Sequence, residues 1–250
     1  LLINQNVEIM KSVKALASIK QIRLTGLLYL LVIICAGFSQ GYVRGTLIVP
    51  DNAVETANNI LQNKSLFQLG LTTDLIAFLL DAVIAILLYK IFKPFNKTLA
   101  MVSSAFRLIA HPAIGSLNLL NHYMAMKVLE KNVMSSAFSE AQAQEMSSLL
   151  MEAHHYGYLI AGGFFGIHCL LLTMLIYKSN VFPKLFGGLL LGAAAGYLIE
   201  TFGNFNVPGY EGFTALIVGV AAALGEVGLT LYMITKGTTT SYKNLKELAL

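Results

Sequence analysis

The chain has 250 residues, of which 56% are hydrophobic and only 12% charged, and its formal net charge is +4. Soluble domains carry about 25% charged residues, and a soluble protein with this mean hydropathy of +0.68 would expose large apolar patches to water. The composition therefore excludes a soluble globular domain, and it also excludes collagen-like, disulfide-rich and disordered chains. It indicates an integral membrane protein whose main partner is the lipid bilayer.

Six apolar runs are each long enough to cross a bilayer core, which takes about 20 residues of helix. They cover residues 23–44, 68–90, 98–124, 149–177, 184–203 and 213–235. Four of the five prolines fall between these runs, whereas Pro112 lies inside the third run and should kink it. Ser139 and Gln142 have the spacing of a capping box, so we expect a helix to begin at Glu140 and to lead into the fourth run.

Lysine and arginine are distributed unevenly between the two sides of this arrangement. One side has Lys11, Lys14, Lys20, Arg23, Lys90, Lys93, Lys97, Lys178, Lys184, Lys236, Lys243 and Lys246. The other side has only Arg44, Lys64, Lys127 and Lys131. Because cytoplasmic loops are enriched in these residues, both termini are predicted to be cytoplasmic. No run of like charge exceeds two residues, so no nucleic-acid partner is expected.

The predicted fold is therefore all-α and polytopic, with six transmembrane helices and an N-in/C-in orientation. The transmembrane domain covers residues 23–236. A cytoplasmic segment, residues 1–22, precedes it, and a cytoplasmic tail, residues 237–250, follows it.

Eight ionisable residues lie within the predicted spans, where a charged group costs at least about 2.5–3.5 kcal/mol on insertion scales and usually faces the bundle interior. They are Asp74, Asp81, Arg107, His111, His154, His168, Glu200 and Glu226. At the rise of an α-helix, four of them fall about 13–15 Å from the cytoplasmic ends, near the midplane: Asp81, Arg107, His168 and Glu226. A second layer, about 20–25 Å deep, contains His111, Asp74, Glu200 and Gln40.

These two layers predict a polar cavity that widens towards the outer face. Asp81 and Arg107 are expected to form an ion pair, because antiparallel neighbouring helices place them at equal depth. Asp81, Glu226 and His168 are candidates to carry protons or cations, with Arg107 as the counter-ion. The alternative is that all these groups are structural and only hydrogen-bond across helices.

Four stretches of the sequence also follow a family pattern. They are Arg23 to Leu31; Leu47 to Pro50 with Thr56 to Ile60; Asp74 to Asp81; and His154 to Ile160 with Phe164 to His168 and Gly196 to Glu200. In these stretches the chain resembles the bacterial membrane-protein family catalogued as domain of unknown function 4386. The resemblance covers about residues 20 to 237. It implies a multi-pass protein of the bacterial inner membrane and supplies no activity.

Three classes of function are compatible with this sequence. The favoured one is binding or translocation of a small polar or ionic solute in the cavity. The second is an intramembrane enzyme that depends on a metal or a haem, and the sequence leaves open whether the protein is an enzyme. The third is an accessory or sensory subunit, bound to a membrane partner subunit, whose buried polar groups only fix helix register.

The enzyme hypothesis has little support from motifs, and we predict neither a cofactor nor a metal site. No His-Glu-x-x-His pattern occurs. His154 and His168 are fourteen residues apart on one helical face, which is the spacing of a two-haem helix. His111 and His122 on the third run are only eleven residues apart. If one histidine of each run held the first haem, the two histidines left for the second haem would be misaligned by about 6 Å.

Overall fold

The structure is a computed structural model that describes residues 16–130 and 139–247. Within this part of the chain, five helices are long and apolar enough to cross a membrane: α1 (Ile19–Leu47), α3 (Lys64–Phe92), α5 (Glu140–Ser179), α6 (Lys184–Asn206) and α7 (Glu211–Thr235). A further long helix, α4, comprises Lys97–Leu108, Ile109–Gly115 and Ser116–Lys127. Two short helices are α2 (Ala53–Gln62) and α8 (Thr240–Glu247). Every regular element in the described residues is a helix, as predicted, and the five apolar helices are consistent with a multi-pass membrane protein.

The helix ends follow local capping rules. Ser139 Oγ accepts a hydrogen bond from the Gln142 backbone N–H, and the Gln142 side chain accepts one from the Ser139 N–H, so the expected capping box is present. It satisfies two backbone donors that would otherwise lack partners. At the far end of α5, Asn180 adopts the left-handed conformation with φ of 52°, which ends the helix. Helix α5 is therefore continuous from Glu140, well before the predicted fourth run.

Three of the long helices contain a π-helical stretch, in which each turn is wider than in an α-helix. These stretches are Gly37–Arg44 in α1, Ile109–Gly115 in α4 and Ala223–Val227 in α7. The second includes Pro112, which has no N–H to donate within the helix. Such stretches are frequent at functional sites, and here they contain Arg44, His111 and Glu226.

The long helices pack in chain order into a ring, and α7 closes it against α1. The closing contact is tight, because a Cβ added at Gly26 would lie only 2.8 Å from the Met233 Cβ. Arg23 at the start of α1 donates a hydrogen bond of 3.1 Å to the carbonyl of Thr235 at the end of α7. We call this end of the bundle the terminal face and the opposite end the distal face.

The two short helices cover the two faces. At the terminal face, Tyr242 of α8 is fully buried and its hydroxyl donates to the carbonyl of Ala17. Burial raises the pKa of Tyr242 to about 12, so its hydroxyl remains a donor. At the distal face, Ile60 of α2 belongs to an apolar cluster with Phe67 and Met151. The predicted tail thus contains a docked helix, while residues 1–15 and 248–250 lie outside the described part of the chain.

Candidate functional site

Arg107 is the centre of the polar interior. It lies on α4, is fully buried, and donates from Nε to Asp81 Oδ1 at 2.9 Å. Its Nη2 donates to the same carboxylate oxygen. The ion pair expected between Asp81 and Arg107 is therefore present, and it joins α3 to α4 at the depth where both helices cross the middle of the bundle.

A tyrosine connects this ion pair to Glu226. Arg107 Nη1 donates to the Tyr29 hydroxyl at 3.1 Å, and that hydroxyl donates to Glu226 Oε2 at 2.7 Å. Tyr197 donates to the other oxygen, Oε1, also at 2.7 Å. The guanidinium carbon lies 4.3 Å from the Tyr29 ring centroid and 5.0 Å from that of Phe165, within range of a cation–π interaction. The network therefore joins α1, α4, α6 and α7.

His168 of α5 completes the network and is held neutral by its hydrogen bonds. Its Nδ1 lies 2.9 Å from the backbone carbonyl of Ser103, which can only accept, so we assign the proton to Nδ1. Nε2 then accepts from Arg107 Nη1 at 3.1 Å. Both ring nitrogens are engaged, and His168 presents no free lone pair to a metal or haem iron in this structure.

A cavity of about 520 Å³ adjoins this network and extends from it towards the distal face. The polar side chains that line it are Gln40, Asp81, Arg107, His111, His155, Glu200 and Glu226, and its aromatic walls are Tyr29, Tyr158, Phe165 and Tyr197. Asp81 Oδ2 is buried and accepts no hydrogen bond from the described residues; His111 Nδ1 lies 3.5 Å from it. The lining therefore has three carboxyl groups against one guanidinium.

The predicted site residues do not all meet in one place. Asp81, Arg107, His111, Glu200 and Glu226 line the cavity. His168 contacts Arg107 from behind the cavity wall, and Asp74 and His154 lie in a second polar cluster.

That second cluster lies nearer the distal face. Arg44 Nη1 donates to Asp74 Oδ2 at 2.7 Å. His154 Nδ1 donates to the Asn118 carbonyl at 3.1 Å, and His122 Nε2 donates to the Phe67 carbonyl at 3.0 Å. Four buried atoms of this cluster have no partner in the described residues: Arg44 Nη2, Asp74 Oδ1, His122 Nδ1 and His154 Nε2. Buried polar atoms of this kind are usually hydrogen-bonded to ordered water.

Sequence reasoning missed several residues that these two clusters depend on. Tyr29 and Tyr197 lie within the first and fifth predicted runs and were given no role, although a tyrosine far from the membrane interface is unusual. Arg44 ends the first predicted run and was counted only among the basic residues of the outer side, yet the uncompensated charge of Asp74 indicated that a cation should lie at the same depth.

No motif indicated a role for Asn118, which donates from Nδ2 to the His154 carbonyl. Across residues 16–130 and 139–247, no group of three or more His, Cys, Asp or Glu side chains is arranged to hold a metal ion.

Comparisons with known proteins identify the family. The family model described as Domain of unknown function (DUF4386) matches residues 24–237. An uncharacterized protein of Archaeoglobus fulgidus is 29% identical over 159 residues, which covers 64% of this chain and 78% of that relative. No solved structure matches the chain. Since the family model covers most of the sequence, the chain belongs to the family described as Domain of unknown function (DUF4386).

Proposed function

We propose that this protein is a six-span membrane protein whose cavity binds, and serves to translocate, a small polar solute that carries positive charge. The proposal has three parts: the number of spans, the orientation in the membrane, and the chemistry of the cavity. Each part rests on contacts among the described residues.

The sixth span is α4, which is less apolar than the other five because it contains Ser103, Arg107 and His111. Its length is about 45 Å at the rise of an α-helix, which is enough to cross a bilayer. The bond from Arg23 to Thr235 places the start of α1 beside the end of α7. Both ends then lie on one side of the membrane, and this requires an even number of crossings. Helix α4 supplies the crossing that the five apolar helices lack.

The orientation follows from the basic residues. Lys90, Lys178 and Lys184 lie at helix ends on the terminal face, and the positive-inside rule makes this face cytoplasmic. The distal face is then the outer face, and the cavity extends towards the outside. The location we propose is the bacterial cytoplasmic membrane, which is what the family resemblance implies.

The observation that carries the proposed function is the excess of carboxyl groups in the cavity. Arg107 already pairs with Asp81, so Glu200 and Glu226 are left without a cationic partner in the lining. Glu226 is held in place by two tyrosine hydroxyls, whereas the carboxylate of Glu200 accepts no hydrogen bond from the described part of the chain. Glu226 is buried and Glu200 is half-buried, and a carboxyl group that is withdrawn from water without a cationic partner is costly. A solute with positive charge and hydrogen-bond donors would satisfy these groups.

Cysteine accessibility tests this proposal. In a chain with Cys35 and Cys169 replaced by alanine, Ala222→Cys places a thiol in the cavity wall, and Leu224→Cys, at a position 57% exposed outside the cavity, is the matched control facing lipid. A cationic methanethiosulfonate reagent added from outside should modify Ala222→Cys but not Leu224→Cys. Tetramethylammonium should slow that modification.

The charge preference provides the internal check. The cationic reagent should modify Ala222→Cys faster than its anionic sulfonate counterpart, and Glu200→Gln should reduce this difference. Equal reactivity at both thiols, or faster modification by the anionic reagent, would contradict the proposed function.

A further inference from the structure

The cavity has an open side between α1 and α7. At the terminal half of these helices, Gly26 of α1 packs tightly against Met233 of α7. At the distal half, Gly37 and Gly41 of α1 and Gly219 of α7 have no atom within 4 Å of the position that a Cβ would occupy. The two helices are thus in close contact at one end and leave space between them at the other.

This space is a slot that runs along the helices. The exposed residues of α7 that line the cavity extend from Ala215 to Ala223, a distance of about 12 Å along the helix axis. Opposite them, Gly37 and Gln40 of α1 are also exposed and line the same cavity. An opening of that length on the flank of a transmembrane bundle faces the hydrocarbon of the bilayer as well as the water above it.

We propose that the ligand of this cavity is a single-chain amphiphile with a cationic headgroup, and that it enters sideways from the outer leaflet through the slot between α1 and α7. This inference rests on the proposed function and narrows its solute to a membrane-borne molecule. The headgroup occupies the polar cavity, and the hydrocarbon chain passes through the slot into the leaflet.

The polar lining favours a cationic headgroup. It runs from Gln40 and Glu200 near the distal face to Glu226 and Asp81 in the middle of the bundle, so a headgroup meets acidic partners along its whole path. At the inner end of the cavity, in the middle of the bundle, Asp81 Oδ2 is buried and has no hydrogen-bond partner among the described residues. Aromatic rings flank the same region, and quaternary ammonium groups bind well between such rings.

The mouth of the slot favours a hydrocarbon chain. Val32 and Ile33 on α1 and Val218 on α7 line the cavity beside the opening. A hydrated ion would gain nothing from these side chains, whereas a hydrocarbon chain can exchange its contacts with lipid tails for contacts with them at little cost, because lipid tails are as apolar as these side chains. The combination of an acidic cavity lining and an apolar opening matches an amphiphile better than a simple ion.

A tryptophan reporter tests the lateral entry, because the natural sequence contains no tryptophan. Ile33→Trp places the reporter at the slot, and Val32→Trp is a second reporter if the first variant does not fold. Leu79→Trp, at a position 63% exposed on α3, is the control for full lipid contact, and Ile84→Trp, fully buried on α3, is the control for none. Each variant is reconstituted in phosphatidylcholine vesicles with brominated acyl chains, which quench tryptophan on contact.

We expect the slot reporter to be quenched nearly as strongly as Leu79→Trp. Decyltrimethylammonium, which has no bromine, should relieve quenching at the slot and not at Leu79→Trp, while decyl sulfate should have no such effect. Glu200→Gln should raise the decyltrimethylammonium concentration that relieves half of the quenching by about tenfold.

The outcomes separate the two proposals. A slot reporter that is not quenched, while tetramethylammonium still protects Ala222→Cys, overturns lateral entry and leaves the proposed function standing. An unquenched reporter together with disulfide cross-linking between copies through Gly219→Cys shows that a second copy closes the slot, which also overturns lateral entry. Absence of both quenching relief and tetramethylammonium protection contradicts both proposals.

Discussion

Replacing Arg107 by glutamine should destabilise the protein more than replacing Arg107 and Asp81 together. Arg107 provides the hydrogen bonds to Asp81 Oδ1. Without it, the buried Asp81 carboxylate retains only His111, whose Nδ1 is 3.5 Å away. A buried charge that loses its partner costs about 3–5 kcal/mol.

The double variant Asp81→Asn, Arg107→Gln removes both charges and leaves only neutral buried polar groups. Such groups cost about 1–3 kcal/mol when they lack partners. The two variants should therefore differ by about 2 kcal/mol in the free energy of unfolding, as the single charge is the more costly defect. For a chain of this size, this corresponds to a difference of roughly 4–8 °C in Tm.

Thermal unfolding of the natural sequence, the two single variants and the double variant in one detergent measures this difference as a double-mutant cycle. Asp81→Asn alone should have an intermediate effect, since Arg107 retains Tyr29 and the His168 acceptor. Lys90→Gln, at the exposed end of α3, controls for loss of a charge. The reasoning is refuted if Arg107→Gln unfolds at the same temperature as the double variant, or at a higher one.

Three further experiments test other parts of the structure. Tyr29→Phe removes the hydroxyl between Arg107 and Glu226 and should lower the free energy of unfolding by about 1–3 kcal/mol. Tyr197→Phe loses one hydrogen bond at a partly exposed ring and should lower it by less. Equal losses in the two variants would contradict the bridging role of Tyr29. Gly26→Ala should lower the free energy of unfolding by about 1–3 kcal/mol, because the added methyl group forces α1 away from α7. Gly37→Ala, at a position that faces open space, should leave it unchanged or raise it by up to about 1 kcal/mol. An unchanged stability in Gly26→Ala would disprove the close contact between the two helices. An impermeant thiol reagent added from outside should label single cysteines placed in the three predicted outer connections, residues 50–66, 126–148 and 204–212. A cytoplasmic location for any of these connections would contradict the six-span arrangement.

The sequence allowed depth to be predicted better than direction. Position along an apolar run fixes how deep a side chain lies, and this placed Asp81, Arg107, His168 and Glu226 at one level. In the structure Arg107 contacts Asp81 and His168 directly and is connected to Glu226 through Tyr29. Helix rotation decides which neighbour a side chain faces, and hydropathy contains little information about it. For this reason Asp74 was expected near Glu200, whereas it pairs with Arg44 instead.

The same limit applies to the cavity. The predicted polar layers indicated an interior space but not the slot, which depends on how α1 and α7 diverge. Helix α4 was predicted as the third run, residues 98–124, although its polar residues make it less apolar than the other long helices; the charge of Arg107 is compensated only when α4 packs against Asp81 of α3. The π-helical stretches at His111 and Glu226 have no sequence signature apart from Pro112.

The central claim is that the carboxyl groups of the cavity bind a cationic group. A ligand that binds only the folded protein raises its Tm as its concentration increases, so thermal unfolding in a tetramethylammonium titration, with sodium at equal ionic strength as the reference, tests the claim directly. The account predicts that Tm of the natural sequence rises with tetramethylammonium and that the rise is lost in Glu200→Gln and in Glu226→Gln. An equal Tm in both salts, or an undiminished rise in both variants, would contradict it.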